Sequence, residues 1–352
     1  MICYHIISID KAMKNIYLII FIVIFAFIVG YIFGQTYRKT NLNPLISNTP
    51  LKTYPLKKYS IQNLKKTKFF GKQIQIKEEL NSTDSFTSYQ YFSYNDSKRV
   101  SGLINIPKQA GEYPIAILLR GYVDKEIYTS GIGTQRVGEF LAQNGYITIA
   151  PDFLGYGKSD KPSKDGLEER FQTYTTTLEL LASLNSVNSA LIEKGISDIT
   201  ANPDNVVIWG HSNGGHIALA ALVISGKNYP TVLWAPVSKP FPYSILYYTD
   251  QYTDRGKYLR KLLADFETDY DIEKYNPINY LKSIKAPIQI HQGTMDEDVP
   301  VTWSNELNSK LNKFQISVDY FVYENADHNL VPDGWSRAVS EMFKFYNDKV
   351  RK

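Results

Sequence analysis

Three residues in this chain have the types and the order that nucleophilic acyl transfer requires. Ser212 lies in Gly210-His211-Ser212-Asn213-Gly214, a G-x-S-x-G pattern. Asp296 lies in Gly293-Thr294-Met295-Asp296-Glu297-Asp298-Val299-Pro300, and His328 in Ala326-Asp327-His328-Asn329. A serine hydroxyl is a weak nucleophile. It needs a base within hydrogen-bond reach, and that base needs a carboxylate to orient it. The chain order that goes with G-x-S-x-G is serine, acid, histidine, which Ser212, Asp296 and His328 follow. Glu297 and Asp298 remain rival acids, because loop geometry is not written in the sequence. The oxyanion formed on attack needs N–H donors. The backbone N–H of Asn213 is one. The loop after Leu119 offers the other at Tyr122, with its hydroxyl as a further donor; the plainer reading of Tyr122 is an aromatic lining the pocket.

These residues need a scaffold that brings loop ends together. Asn205 to Trp209 is a β-branched run, and a helix should start near Asn213 and stop at Gly226. The serine would then occupy a strained strand-to-helix turn, where a Cβ at Gly210 or Gly214 would collide. The helix N-terminus behind it suits an oxyanion. Strands are expected at 73–77, 88–94, 100–106, 115–119, 146–150, 231–234, 287–291 and 317–323. Those at 88–94 and 100–106 form an antiparallel hairpin turning at Asn95-Asp96-Ser97-Lys98. Helices are expected at 137–143, as one long element at 173–193, and at 303–311 and 335–346. Strands alternating with helices from Pro114 onward imply a mostly parallel sheet covered on both faces, with ligands beyond the strands' carboxyl ends. Both Asp296 and His328 follow directly on such a strand. Residues 238–282 break the rhythm with Pro240, Pro242 and a run of tyrosines, and read as an insertion over the site. Asp152, Gly155 and Gly157 read as turn-setters. His211 fixes the approach to the elbow, His216 is packed behind it, and His291 ends a strand beside the acid loop.

With these pieces placed, residues 70–350 resemble the α/β-hydrolase superfamily, and within it the catalytic domain of the prolyl oligopeptidase (S9) family and its stand-alone relatives. The resemblance rests on Gly210-His211-Ser212-Asn213-Gly214-Gly215, on Gly293-x-x-Asp296-x-x-Val299-Pro300, and on Asp327-His328. Asn144-Gly145-Tyr146 and the loop Pro151 to Ser159 fit as well. It implies an α/β-hydrolase fold with a Ser212–Asp296–His328 triad. There are two departures. The family often has His-Gly where this chain has Arg120-Gly121, and residues 40–113 leave room for only a few strands rather than the family's N-terminal propeller. The second departure favours an esterase relative to a peptidase; the acid-loop pattern favours the S9-like peptidase.

Composition narrows the remaining options. Of 352 residues, one is cysteine, Cys3, so internal disulfides are excluded. No Cys/His cluster has metal-ligand spacing and no H-E-x-x-H occurs, so no metal and no other cofactor is expected. Residues 1–72 hold eleven Lys/Arg and one acid, Asp10, a net of +10, which leaves −6 for the rest. That basic stretch adjoins an apolar segment rather than a groove-reading motif, so nucleic acid is not an expected partner. Ile16 to Gly34 is nineteen uncharged residues, long enough to cross a bilayer. A retained anchor is expected over a cleavable signal peptide, since no A-x-A site follows. Lys11 and Lys14 favour an inside N-terminus, Arg38, Lys39 and Lys52 the reverse, and long domains cross largely regardless of such charges.

The expected organisation is a short segment at 1–15, a transmembrane helix at 16–34, a linker at 35–70 and a catalytic domain at 71–352. The expected reaction is hydrolysis of a small-molecule ester or peptide substrate, with the catalytic domain outside the cytoplasm and the oligomeric state open. A carboxylesterase is the alternative enzyme. A membrane-tethered, non-catalytic binding module is the alternative of another class. A dehalogenase or epoxide hydrolase would want a carboxylate at position 212.

Overall fold

The computed structural model describes the backbone of residues 2–41 and 52–350, and side chains over 16–36 and 52–350. Cys3, His5 and the lysines at 11 and 14 fall outside the described side chains, as does the linker from 42 to 51. The chain divides into two units, Met1–Thr53 and Tyr54–Lys352. In the first, α1 (Ile2–Asn41) is one helix. Its stretch Ile16–Thr36 carries no burial and is long and apolar enough to cross a membrane, by length and composition; a signal sequence meets the same test.

The second unit begins earlier than the sequence suggests. The segment expected to be linker folds as a 3-10 turn (Pro55–Tyr59) and a short helix, α2 (Ile61–Lys66). Ser60 caps α2 by accepting from the Asn63 N–H. Leu56, Tyr59, Ile61 and Leu64 are buried. Tyr59 Oη donates to Glu168, and the Leu56 N–H donates to Tyr270 Oη at 3.1 Å. Four buried apolar side chains explain why a Lys-rich segment is held: the lysines face water while the residues between them join the core.

The sheet follows. In chain order its strands are β1 (Gln75–Ser82), β2 (Phe86–Asn95), β3 (Lys98–Pro107), β4 (Gly111–Leu119), β5 (Ile147–Pro151), β6 (Ile199–His211), β7 (Thr231–Trp234), β8 (Ile288–Gly293) and β9 (Val318–Tyr323). The spatial order is β1-β2-β3-β5-β4-β6-β7-β8-β9. β1, β2 and β3 pair antiparallel, β3 joins β5 antiparallel, and from β5 to β9 every pair is parallel. The α/β-hydrolase sheet expected from the sequence is present. Its period-two logic is visible in the centre. Ile115, Ile117 and Leu119 of β4, with Val206 and Ile208 of β6, point into one core layer. Ala116 and Leu118, with Val207 and Trp209, point into the other.

Helices close both faces. α3 (Gln135–Gln143) covers one side. α4 (Gly166–Ser183), α5 (Val187–Lys194) and α6 (Asn213–Ser225) cover the other. The single long helix expected at 173–193 is therefore two, and it starts seven residues sooner. Asp165 caps α4, its carboxylate accepting from the N–H groups of Leu167 and Glu168. The break lies at a 3-10 turn, Leu184–Ser186, flanked by serines that bond elsewhere. Ser183 Oγ donates to Glu179 O and accepts the Lys72 N–H, while Ser186 Oγ donates to Ser183 O and accepts the Ile74 N–H. Serine hydroxyls compete with the helix ladder in this way.

Between β7 and β8 lies the insertion: α7 (Tyr243–Leu246), α8 (Lys257–Asp269) and three 3-10 turns. Phe266 of α8 packs with Phe171, Phe241 and Tyr275, which fixes the insertion to α4. α9 (Val301–Lys313) joins the α6 side, and α10 (Trp335–Val350) joins α3 on the other.

Candidate active site

β6 ends at His211 and α6 begins at Asn213, leaving Ser212 alone on the turn. Its backbone has φ 56° and ψ −122°, a costly conformation for a residue with a Cβ. Three backbone bonds hold it. The Ser212 N–H donates to Trp234 O at 2.9 Å, and its carbonyl accepts from Gly215 and Val237, both at 3.0 Å. The glycines make the turn possible. A Cβ on Gly210 would meet Gly214 O at 2.6 Å, and one on Gly214 would meet Leu119 O at 1.9 Å. Ser212 Oγ has no hydrogen-bond partner among the described residues, and it lines a cavity of about 540 Å³.

The loop after β8 brings one of its three acids inward. The Asp296 side chain is fully buried, whereas Glu297 and Asp298 are exposed. Asp296 Oδ1 accepts from the N–H groups of Asp298 (3.0 Å) and Val299 (2.7 Å), and Oδ2 accepts from Gln292 Nε2 at 2.8 Å. His328, in the loop after β9, meets the same carboxylate: Nδ1 lies 3.0 and 2.9 Å from its two oxygens. That leaves Nε2 as the ring atom available to the cavity, which His328 also lines. The donor atoms of Asp296, Asp298 and His328 fall within 4.8 Å of one another. The Asp296 oxygens are already taken by N–H groups and His328, however, so the arrangement suits a hydrogen-bonded dyad.

The loop after β4 passes over the serine. A Cβ on Gly121 would stand 2.9 Å from Ser212 Cβ. The Tyr122 side chain is 79% exposed and lines the cavity beside Asn213. The N–H of Asn213, at the first position of α6, has no partner within its helix.

The chain has counterparts among known proteins. The family model described as the prolyl oligopeptidase family matches residues 135–352. The chain belongs to the prolyl oligopeptidase family. It is a hydrolase of the S9 peptidase or esterase type. The uncharacterized peptidase YtmA of Bacillus subtilis is 22% identical over 71% of this chain and 90% of its own length. Among solved structures, the acylaminoacyl peptidase of Pyrococcus horikoshii superposes with a TM-score of 0.54 at 16% identity, over 77% of this chain and 43% of that one. Acetyl xylan esterase 1 of a Thermoanaerobacterium species does so with 0.53 at 17%, over 81% and 98%. Both likenesses establish the fold.

Within this family frame, Arg120 has a definite role. It is buried, with Nη1 donating to Gly121 O at 2.8 Å and Nη2 to Asp152 O at 2.9 Å. Its guanidinium lies over Tyr156 at 4.0 Å and Tyr128 at 4.7 Å. It therefore ties the loop over Ser212 to the loop after β5. Asp152 anchors that second loop: its carboxylate accepts from Ser101, Ser130 and Tyr128, and burial raises its pKa. Gly155 and Gly157 supply the positive φ angles the turn needs, 80° and 55°.

Two features of the site go beyond what the sequence suggests. Gln292 is a buried polar residue inside β8 that bonds Asp296 and is itself held by Ser304 Oγ at 2.7 Å. Its signal is a glutamine at an otherwise apolar strand position, four residues before the acid. His211 does more than shape the elbow. Its Nε2–H donates to the His328 carbonyl at 2.9 Å, and the two rings lie 4.5 Å apart. Burial, and then the neighbouring His328, push its pKa down to about 4, so it is a neutral donor at pH 7. His216 is packed as expected, between Val237 O and Tyr174 Oη. His291 is bonded to Tyr323 Oη and Gln289 Oε1, away from Asp296 and His328.

Proposed function

We propose that the protein cleaves an amide or ester bond through an acyl-enzyme on Ser212, in the manner of an S9-like serine peptidase. The observation that carries this is the His328–Asp296 pair opening onto the cavity that holds the strained, unpartnered Ser212. In this reading Ser212 Oγ attacks the substrate carbonyl and His328 Nε2 takes its proton. Asp296 keeps the other proton on Nδ1 and stabilises the imidazolium. The N–H groups of Asn213 and Tyr122 receive the oxyanion. His328 then gives its proton to the departing amine or alcohol. A water molecule, deprotonated by His328 in turn, releases the acid and restores Ser212.

Carboxylesterase action is the second reading, and one observation favours it. Among the described residues, the second unit has only two short helical segments and β1 to β3 ahead of β4. These few elements are too small to screen peptides by size. The test compares short-chain nitrophenyl esters with peptidyl arylamides, using the full chain in detergent beside Ser212→Ala. Ser212-dependent amide cleavage supports the peptidase; ester cleavage alone moves the assignment to esterase. Failure of a fluorophosphonate probe to label Ser212 would point to the binding module.

The reading extends to location. α1 anchors the chain, and the catalytic unit lies outside the cytoplasm. The length and composition of Ile16–Thr36 support an anchor. Protease added to intact cells or spheroplasts is expected to degrade the catalytic unit; protection until lysis overturns this orientation.

A further inference from the structure

α4 carries a cation that the proposed reaction does not use. Arg170 lines the same cavity as Ser212 and His328 and is partly buried. Among the described residues its guanidinium makes no hydrogen bond and no ion pair. Its acidic neighbour, Glu169, is bonded to Lys125 at 2.9 Å. The phenols of Tyr174, Tyr252 and Tyr248 lie near it but are neutral at pH 7, and Tyr174 is already engaged with His216. Desolvating a cation without a counter-charge is costly unless something arrives to pair with it.

Two more groups on the cavity wall share this state. Ser244 Oγ and Tyr248 Oη, both from the insertion, are buried with no hydrogen-bond partner. Nearly all buried polar atoms are satisfied, so orphans gathered in one cavity need an explanation. A guanidinium offers only donors, in a planar fork, and both hydroxyls can donate as well. The complement is an acceptor-only anion. Charge favours a monoanion over a phosphate dianion, because among the described residues Arg170 is the one Lys or Arg lining the cavity and Asp298 also borders it.

We infer that Arg170, with Ser244 and Tyr248, forms a carboxylate-recognition subsite, so that the substrate is an ester or amide bearing a free carboxylate near the scissile bond. This deepens the Ser212 reading and rests on it for the chemistry. It also gives the insertion a purpose, since two of the three groups come from it. Such a subsite would select by charge, which an apolar pocket cannot do.

The test uses the full chain in detergent and matched ester pairs. One pair is 4-acetoxybenzoate and its methyl ester; the other is mono-4-nitrophenyl succinate and its methyl ester. They place the carboxylate on the leaving and acyl sides respectively. The native enzyme is expected to favour the anionic member of one pair. Arg170→Gln should lower that ratio of kcat/KM by about 10- to 100-fold, as loss of a charge-assisted bond implies. Arg170→Lys should retain part of it, and guards against misfolding as the cause. A preference for neutral esters, or one that survives Arg170→Gln, overturns the subsite. Calorimetry on Ser212→Ala separates the two ideas. Binding of monomethyl succinate that is lost on adding Arg170→Gln supports the subsite even if no ester turns over. Tighter binding of methyl phosphate overturns the carboxylate assignment.

Discussion

Ser212→Ala is expected to lower kcat/KM for any substrate by about 10⁴- to 10⁶-fold, the scale seen when a triad nucleophile is removed. His328→Ala should cost a similar factor. The double variant should be hardly worse than either, because the residues act as one unit. Asp296→Asn should cost about 10⁴-fold while leaving the fold intact, since asparagine fills the space but favours the wrong imidazole tautomer. Asparagine would also turn an NH₂ group toward donors that now point at Asp296: the N–H groups of Asp298 and Val299 and Gln292 Nε2. Steady-state rates on an activated ester would check all four proteins. Retention of more than a few per cent of activity in Ser212→Ala would remove Ser212 from its assigned role.

Acid is expected to begin destabilising the catalytic unit near pH 6.5, above the range where ordinary carboxylates titrate. His216 and His291 are fully buried, and burial lowers their pKa values to about 4 and about 3. Each ring also accepts a hydrogen bond that a protonated ring could not accept. His216 Nδ1–H donates to Val237 O while Nε2 accepts from Tyr174; His291 Nε2–H donates to Gln289 while Nδ1 accepts from Tyr323. Above pH 6.5, the ordinary histidine value, these imidazoles are neutral in both folded and unfolded chains, and stability is at its plateau. Below that value the unfolded chain binds protons that the folded one refuses, so stability falls until the pH passes the folded values. Each pH unit between the unfolded and folded values is worth about 1.4 kcal/mol, so each of the two histidines removes about 3 to 5 kcal/mol across that window. His211, lowered to about 4, adds to the same slope. Asp152 works the other way, because its folded carboxyl is raised and takes up a proton first. Set against a total of about 5 to 15 kcal/mol for a domain, two such histidines are decisive. Chemical denaturation followed from pH 7 to pH 4 should show a steep loss, with a shallower slope in His216→Gln. Constant stability over that range would contradict the buried neutral assignment.

Much of this architecture is legible in the sequence because short apolar runs alternate with helix-like stretches from Pro114 onward. In the structure the pleat of β4 and β6 sends Ile115, Ile117, Val206 and Ile208 to one layer and their neighbours to the other. The elbow glycines and the positions just after β8 and β9 are legible for a related reason: strand ends define where loops converge. The choice among Asp296, Glu297 and Asp298 is not. It depends on which carboxylate the N–H groups of Asp298 and Val299 can reach, and that is set by loop dihedrals. The break at Leu184–Ser186 is hidden because Ser183 and Ser186 find their partners at Lys72 and Ile74, more than a hundred residues away in sequence. Arg170 is hidden too, because an arginine on an amphipathic helix looks like solvent-facing charge; only the folded insertion makes it a wall of the cavity.

The segment from Pro55 to Lys66 has a mechanical meaning. β1 is the edge of the sheet, and an edge strand tugged at its end peels away one hydrogen bond at a time. The chain does not enter the sheet there directly. A tug arriving at Tyr54 first meets Leu56, Tyr59, Ile61 and Leu64, seated together in the core, with bonds to Glu168 and Tyr270. These must be dragged out side by side, a shearing load shared by several contacts at once. The short helix behaves as a strain-relief clamp. With α1 retained as the proposed anchor, a pull through it would load this clamp before it reached β1 and the strands that carry Ser212, Asp296 and His328.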